Sequence, residues 1–390
     1  MKKRKLTKLT LLLSSLMTMM AGAVVAPSLP QMSQHFADVP NAEILTRLII
    51  TLPALFIAIF SPINGWLIDK FGRKKILLGA YVLYALGGTS GFYLSNLYLI
   101  LVGRAFLGIG VAGVMTCTVA LIGDYYQGSE RYNFMGYQGA FMSLGGVTFI
   151  SVAGFLADIQ WQMPFLLYLF SILMLILASF FLYEPQRESF SNQHNSPKVK
   201  VEYSRILVFF IGLLAFTGIV FFYMIPVQIP YFLKNIGVTN SLTGIAISAS
   251  TLASSVVSIN FRRIRKILPF QLIYATAFTF MGIGYFIISQ SAEYYQFIIG
   301  LIVSGFGTGF LMPSSNLWAM EITPPQIRGR IVGRISSASF IGMFFSPIII
   351  QPAIAKFSLS GAFLIASTSL IALAVSLFFA RNAKLFKQEK

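Results

Sequence analysis

The sequence carries little charge for its length. Only 11% of its 390 residues are Asp, Glu, Lys or Arg, whereas a soluble domain typically carries about 25%. It also has a single cysteine, Cys117, and two histidines, His35 and His194. A lone cysteine excludes an intrachain disulfide and a cysteine-rich metal cluster. We therefore predict no metal site and no cofactor.

Long apolar runs dominate the chain, since 56% of its residues are hydrophobic. Each run is near the roughly 20 residues that cross about 30 Å of hydrocarbon as a helix. Backbone polar groups in hydrocarbon must be satisfied within their own segment, so the runs are expected to be helices. The sequence predicts an all-α membrane protein with twelve transmembrane helices. They lie at about 7–29, 42–67, 76–94, 96–123, 133–156, 162–183, 205–232, 241–260, 268–289, 294–319, 331–354 and 359–380.

Basic residues cluster in alternate loops. With a cytoplasmic N-terminus, all of the 29 Lys and Arg residues lie on the cytoplasmic side except Arg47, Arg104, Lys234 and Lys356. This bias predicts a multi-pass protein of the cell (inner or plasma) membrane with both termini in the cytoplasm. The net charge of +17 therefore reflects topology and not a nucleic-acid-binding surface. The first run continues too far for a cleaved signal peptide, so we expect it to be retained.

One long polar stretch divides the runs into two sets of six. It covers residues 184–204 and is rich in Ser, Asn and Gln, which is typical of a linker. We expect an N-terminal six-helix bundle at 1–183, a cytoplasmic linker at 184–204 and a C-terminal bundle at 205–390. A basic loop follows the second helix of each half, and the fourth helix of each half is rich in glycine. Many secondary transporters are built from such a duplicated unit.

The strongest motif lies where the second run meets the cytoplasm and reads GWLIDKFGRKK from Gly65 to Lys75. Gly65 permits close approach of another helix, and Gly72 permits a tight turn. Asp69 is a carboxylate at a membrane boundary, where it could cap the positive N-terminus of a neighbouring helix. The alternative is a basic topogenic loop with an incidental Asp.

This spacing resembles the loop 2–3 signature of the major facilitator superfamily, and every fixed position matches. The resemblance extends over the chain. Within the family, the chain most resembles the twelve-helix bacterial drug and metabolite exporters. It implies two pseudo-symmetric six-helix bundles. It also implies that Asp69 contacts the N-terminal end of helix 11 and that Arg73 pairs with Asp124 at the end of helix 4. Gly65, Asp69, Gly72, Arg73 and Asp124 would then latch the cytoplasmic side in the outward-facing state.

Arg104 lies inside the fourth run. A guanidinium in hydrocarbon costs roughly 2.5–3.5 kcal/mol on insertion scales, so it should face the bundle interior or a wet cavity. Snorkelling to the outer interface is the alternative. The segment resembles the family's helix 4 signature, Arg followed by Gly108 and Gly110, in which the Arg is associated with proton coupling or substrate binding. No acidic residue lies at mid-membrane, so Glu43 is the remaining coupling candidate, with an interfacial loop acid as the alternative.

The family architecture implies a cavity lined by helices 1, 2, 4, 5, 7, 8, 10 and 11. Its polar and aromatic lining candidates are Gln138, Tyr223, Gln228, Asn316 and Trp318. A cavity rich in Phe and Met with one buried cation would suit a hydrophobic or amphipathic substrate. The Gly-Pro pair that drug–proton antiporters carry late in helix 5 is absent, which weakens an antiport assignment.

These observations predict a secondary active transporter that works by alternating access. Multidrug-type efflux of small hydrophobic or amphipathic molecules, coupled to protons, is the main hypothesis. Uptake of a small metabolite by symport on the same scaffold is the alternative. The chain has neither a phosphate-binding Gly-x4-Gly-Lys motif nor a mid-depth catalytic constellation, so we expect neither an ATP-driven pump nor an enzyme. Its partners would be a small-molecule substrate, protons and the lipid bilayer, and a monomer suffices.

Overall fold

The computed structural model describes residues 2–185, 204–324 and 327–380 of the 390. All regular structure in these ranges is helical. Most of the predicted linker, residues 186–203, lies outside the described residues, and so does the predicted cytoplasmic tail at 381–390.

Eleven helical segments of the described chain are long and apolar enough to cross a membrane. The last has 53 residues and would be about 80 Å long as one helix, far more than a bilayer needs. Ser358 divides it, because its φ of 66° is not helical. This gives twelve crossings, as predicted: α1 (Arg4–His35), α2 (Ala42–Phe71), α3 (Arg73–Tyr93), α4 (Leu97–Tyr125), α5 (Asn133–Ile159), α6 (Met163–Phe181), α7 (Arg205–Asn235), α8 (Asn240–Arg265), α9 (Phe270–Gln290), α10 (Tyr294–Glu321), α11 (328–357) and α12 (359–380).

The twelve helices form two bundles, each around its own apolar core. The buried residues of one core come from α1–α6 and their loops, between Leu11 and Leu182, and Phe340 of α11 packs against them. The other is built mainly from α7–α12, between Leu207 and Leu377. A few residues of the first half, such as Ile50 and Ile150, join the second core, so the bundles meet through α2 and α5.

The first helix of each bundle is interrupted at a comparable position. In α1 a regular helix ends at Ala23 and a short tight turn precedes Leu29–His35. In α7 the helix Arg205–Phe222 is followed by a second helix, Met224–Asn235. Such breaks leave carbonyl groups without an intrahelical partner, and other groups must then satisfy them.

The two ends of the molecule differ in charge. We call the end with the loops at residues 70–75 and 262–266 the basic end, because Lys and Arg concentrate there. The other end, where α1 ends and α2 begins, is called the opposite end. The odd-numbered helices run from the basic end to the opposite end.

Candidate functional site

Polar side chains join the two bundles at the opposite end. Arg47 of α2 is only 2% exposed. Its Nε donates a hydrogen bond to Oε1 of Gln228 in α7 at 3.2 Å, and its guanidinium carbon lies 4.6 Å from the ring centroid of Tyr231. Glu43 pairs with Arg47 at 3.4 Å and also accepts a hydrogen bond from Gln351 of α11 at 3.1 Å. One arginine and one carboxylate therefore connect α2 to α7 and α11.

A second connection at this end is a helix cap across the bundle boundary. Asp158, at the end of α5, accepts hydrogen bonds from the backbone N–H groups of Asn240 at 2.8 Å and Ser241 at 3.1 Å. These are the first two residues of α8. The Asn240 side chain donates in return to the Ala157 carbonyl oxygen at 3.0 Å. A carboxylate at a helix N-terminus is favourable because it meets unpaired N–H groups and the positive end of the helix dipole.

Small residues let α5 and α8 touch along their opposite-end halves. A Cβ at Gly154 would lie 2.6 Å from the Asn240 carbonyl oxygen, and a Cβ at Gly244 would lie 2.7 Å from that of Ile150. Only glycine fits at such distances. Closer to the basic end, Ser151 of α5 and Ser248 of α8 share a hydrogen bond of 2.9 Å.

The same two helices separate toward the basic end. A Cβ at Gly146 would still lie 3.3 Å from Thr251 of α8, but one at Gly139, seven residues further along the same face, would meet nothing within 4 Å. The same holds for Gly65 in α2 and Gly333 in α11. Along α5 and α8 the bundles are thus closed against each other at the opposite end and apart toward the basic end.

The residues of the predicted latch lie at this open end. Arg73 and Asp124 form an ion pair of 3.1 Å within the first bundle. Asp69 is exposed and has no hydrogen bond or ion pair with any described residue, so its expected contact with the start of α11 is not made in this conformation. Gly72 adopts a φ of +97°, which glycine tolerates.

A carboxylate that the sequence did not single out reinforces the turn at Gly72. Glu184, which follows α6, accepts hydrogen bonds from the backbone N–H groups of Arg73 at 2.7 Å and Lys74 at 2.8 Å. A Cβ at Gly72 would lie 2.7 Å from the Glu184 carboxylate. Glycine is therefore required there both by the backbone angle and by this cap on the N-terminus of α3.

Arg104 is fully buried inside the first bundle, so it does not snorkel to the surface. Its Nε donates to the Ile49 carbonyl oxygen at 2.8 Å, which lacks its usual helical donor because residue 53 is a proline. One terminal nitrogen donates to the Ala21 carbonyl oxygen at 3.0 Å, just before the helix ends at Ala23. The same nitrogen donates to the Tyr168 hydroxyl at 3.0 Å. Arg104 thus satisfies two carbonyl groups, one left free by Pro53 in α2 and one by the end of the first helix of α1.

Replacing Arg104 with alanine should strongly destabilise the protein. The buried Ile49 carbonyl oxygen would lose its donor, at about 1–3 kcal/mol, and the Ala21 carbonyl oxygen would keep only the long hydrogen bond of 3.4 Å from the Tyr168 hydroxyl. Arg104→Lys should lie between the wild type and Arg104→Ala, since one ammonium cannot reproduce the forked geometry. Thermal unfolding in detergent and transport in vesicles should follow this order. Equal melting temperatures for all three forms would contradict the role given to the guanidinium.

The predicted cavity-lining residues fall into different places. Tyr223, at the break in α7, faces Gly22 of α1, where a Cβ would lie 2.8 Å from its hydroxyl oxygen. Gln228 is buried in the contact with Arg47. Gln138 and Asn316 are half-buried on α5 and α10.

Trp318 does not reach the cavity. It is fully buried in the core of the second bundle, stacked on Phe270 with ring centroids 5.2 Å apart and close to Tyr274 at 6.0 Å. A large aromatic near the end of a core helix buries more apolar surface this way than it would at a water-filled wall.

Two residues that the sequence did not single out carry the contacts between the bundles. Arg47 carries the same sequence signal as Arg104, an arginine inside an apolar run. Asp158 gave no such signal, because an acid at the end of a run is ordinary at a membrane surface.

A family model described as "Major Facilitator Superfamily" matches residues 11–269 and 211–389 of the chain. Solved structures with the same fold include a D-xylose-proton symporter, with a TM-score of 0.77, 15% identity and coverage of 95% of this chain and 96% of that one. A bacterial homologue of the human lysosomal transporter Spinster, inward-facing and occupied, has a TM-score of 0.74 and 16% identity, and covers 97% of this chain and 96% of that one. At these identities the likeness concerns the fold alone.

Curated relatives are similar over parts of the chain. The class H tetracycline resistance protein of Pasteurella multocida is 28% identical over 188 residues, 48% of this chain and 47% of that protein. The bacillibactin exporter of Bacillus subtilis (strain 168) is 36% identical over 117 residues, 29% of this chain and 28% of the exporter. The chain thus spans about half the length of the first relative and less of the second. The family match covers nearly all of the sequence, and with twelve crossings in two bundles it establishes that the chain is a multi-pass membrane protein of the major facilitator superfamily.

Proposed function

We propose that this protein is a secondary active transporter that exports small hydrophobic or amphipathic molecules by alternating access, coupled to protons. The observation that carries the proposal is the asymmetry of the bundle contacts. Buried polar pairs and a helix cap close one end, while glycines on α2, α5 and α11 stand free at the other. Alternating access needs two arrangements of this kind, and rocking one bundle against the other would exchange them.

The direction of transport is argued from charge and from the relatives. We infer from the distribution of Lys and Arg that the basic end lies in the cytoplasm, so that the open end faces inward, where a substrate for export would load. Tetracycline resistance proteins and an exporter are among the relatives by name, which favours export. Uptake symport is kept as the second candidate, because the fold is shared with a D-xylose-proton symporter.

Glu43 is the carboxylate we assign to proton coupling. It touches Arg47 in its own helix and Gln351 in the other bundle, so its charge affects the closure of the opposite end. Protonation would weaken both contacts and favour opening there. Arg104 is assigned to holding α1 against α2, since its described partners are two carbonyl oxygens and a hydroxyl.

Vesicles of known orientation test this function. Inside-out vesicles should accumulate a fluorescent hydrophobic probe when their lumen is acidified, and they should not accumulate it when the external medium is acidified instead. Collapse of the proton gradient should abolish the accumulation, and a Glu43→Gln variant should no longer respond to the gradient. Accumulation only when the external medium is acidified would favour the symporter, and accumulation that survives without a gradient would refute proton coupling.

The latch at the basic end gives a further expectation. We propose that Gly65, Asp69, Gly72, Arg73 and Asp124 close this end when the opposite end opens, with Asp69 meeting the start of α11. Asp69→Asn should fold normally, because Asp69 has no partner among the described residues in this state, but should turn over at least about tenfold more slowly, equivalent to about 1.4 kcal/mol. Initial rates in vesicles measure this, and wild-type rates would remove Asp69 from the latch.

A further inference from the structure

A groove with two arginines lies between α7 and α11 near the basic end. Its volume is about 690 Å³, within the range of about 300–1,000 Å³ typical of small-molecule sites. Arg205 and Arg334 lie at its rim, and its apolar walls include Phe209 and Phe216. Both arginines are exposed, and neither forms an ion pair with a described residue.

The groove faces the cleft between the bundles. Phe209, Phe216 and Tyr223 follow one another at intervals of seven residues, so they lie on one face of α7. Tyr223 on this face is directed at Gly22 of α1 in the other bundle. The groove closes on the side of Tyr223, because α7 and α11 are in contact there. A Cβ at Gly342 of α11 would lie 2.6 Å from the Phe216 carbonyl oxygen.

We propose that this groove binds the acidic group and the apolar body of an organic anion taken up from the cytoplasmic side as a substrate. This inference rests on the proposed export function and names the class of substrate. Two guanidinium groups would hold a carboxylate or sulfonate by charge-assisted hydrogen bonds at the wet rim. The aromatic and aliphatic walls would cover the apolar body. An acidic membrane lipid has the same chemistry, so the test must separate a soluble anion from a lipid.

Two probes with one aromatic body separate charge from hydrophobicity. Anilinonaphthalene sulfonate is anionic, and N-phenyl-1-naphthylamine is its neutral counterpart. Each is titrated into phosphatidylcholine nanodiscs that hold the wild type, Arg205→Gln, Arg334→Gln or the double variant. Arg263→Gln is the matched control, because it removes a cation from the basic end of the same bundle without touching the groove. Thermal unfolding confirms that each variant is folded.

Each groove variant should weaken binding of the anionic probe about tenfold, which corresponds to about 1.4 kcal/mol. The neutral probe should bind all forms alike, and Arg263→Gln should match the wild type. Equal binding of the anionic probe by the double variant and the wild type would overturn the proposal. The proposal would also be overturned if phosphatidylglycerol competed with the anionic probe and if only the wild type, and not the groove variants, retained that lipid on purification. The groove would then be a lipid site.

Failure of the anion site and failure of the export function would give different experimental results. If the double variant still exports the neutral probe but not the anionic one, both the export function and the anion site are supported. If wild-type protein binds the anionic probe through the two arginines but moves neither probe in vesicles, the export proposal fails and this groove cannot be a substrate site. Charge-independent binding with normal export would refute the anion site alone.

Discussion

Asp158→Asn is expected to open the opposite end. The carboxylate accepts two backbone N–H groups of α8, whereas an amide has one acceptor oxygen and directs an NH2 group at the second N–H. Charge-assisted hydrogen bonds are worth about 1.5–3 kcal/mol when protected, and solvent reduces this for an exposed group. A loss of about 1.4 kcal/mol would raise the population open at this end about tenfold.

Thiol labelling from the opposite side measures this shift. Ser248, which lies in the α5–α8 contact and is 4% exposed, is replaced by cysteine in a Cys117→Ser background. Its reaction with a membrane-impermeant maleimide should be about tenfold faster with Asp158→Asn. Asp38→Asn is the control, since it removes the same charge near the same end without a described contact to α8. Unchanged labelling in the Asp158 variant would show that the cap does not hold this end closed.

Gly154→Val should nearly abolish transport. A Cβ at this position would lie 2.6 Å from the Asn240 carbonyl oxygen and 3.0 Å from the Ser241 Cα atom. Both are backbone atoms that cannot rotate away, so α5 and α8 would have to separate. Overpacking commonly costs about 1–3 kcal/mol, and here the cost falls only on the state that is closed at the opposite end.

Two other glycine-to-valine variants serve as controls for Gly154→Val. Gly79→Val adds the same side chain on α3, where a Cβ would meet nothing within 4 Å, and should leave transport unchanged. In Gly139→Val the new side chain lies on the same face of α5 as Gly154, but in the open part of the cleft. It should leave the opposite end closed, with Ser248→Cys labelling as slow as in the reference protein. Normal transport by Gly154→Val would mean that α5 and α8 need no close contact at any stage.

The crossings were predictable because their cause is local. Each apolar run has to bury its backbone in hydrocarbon as a helix, so length and hydropathy suffice to place it. The short joint between α11 and α12 shows this well: the two runs were predicted on either side of Ser358, although the helical segment is nearly continuous. The duplication was visible in the loops and the glycines, which repeat at matching positions of the two halves.

The contacts between bundles were not predictable in the same way. Asp158 and Asn240 are far apart in sequence, and neither has a signal of its own before α5 and α8 are packed together. The sequence shows that burying Arg104 is costly, but it does not show its partners, which are the Tyr168 hydroxyl and backbone carbonyls freed by Pro53 and by the end of the first helix of α1. The residue type of Trp318 suits a binding site and so predicts a place at the cavity, whereas the helix register buries it.

The distances across α5 and α8 during turnover test the central claim most directly. Spin labels in the Cys117→Ser background would mark one pair at the opposite end, Ile159 and Leu242, and one at the basic end, Met135 and Ile259. Resting protein should show a short distance for the first pair and a long one for the second. Addition of a proton gradient and an exported probe should populate a second state in which the first distance is long and the second short. A first pair that keeps one short distance while transport proceeds would contradict alternating access by these two bundles.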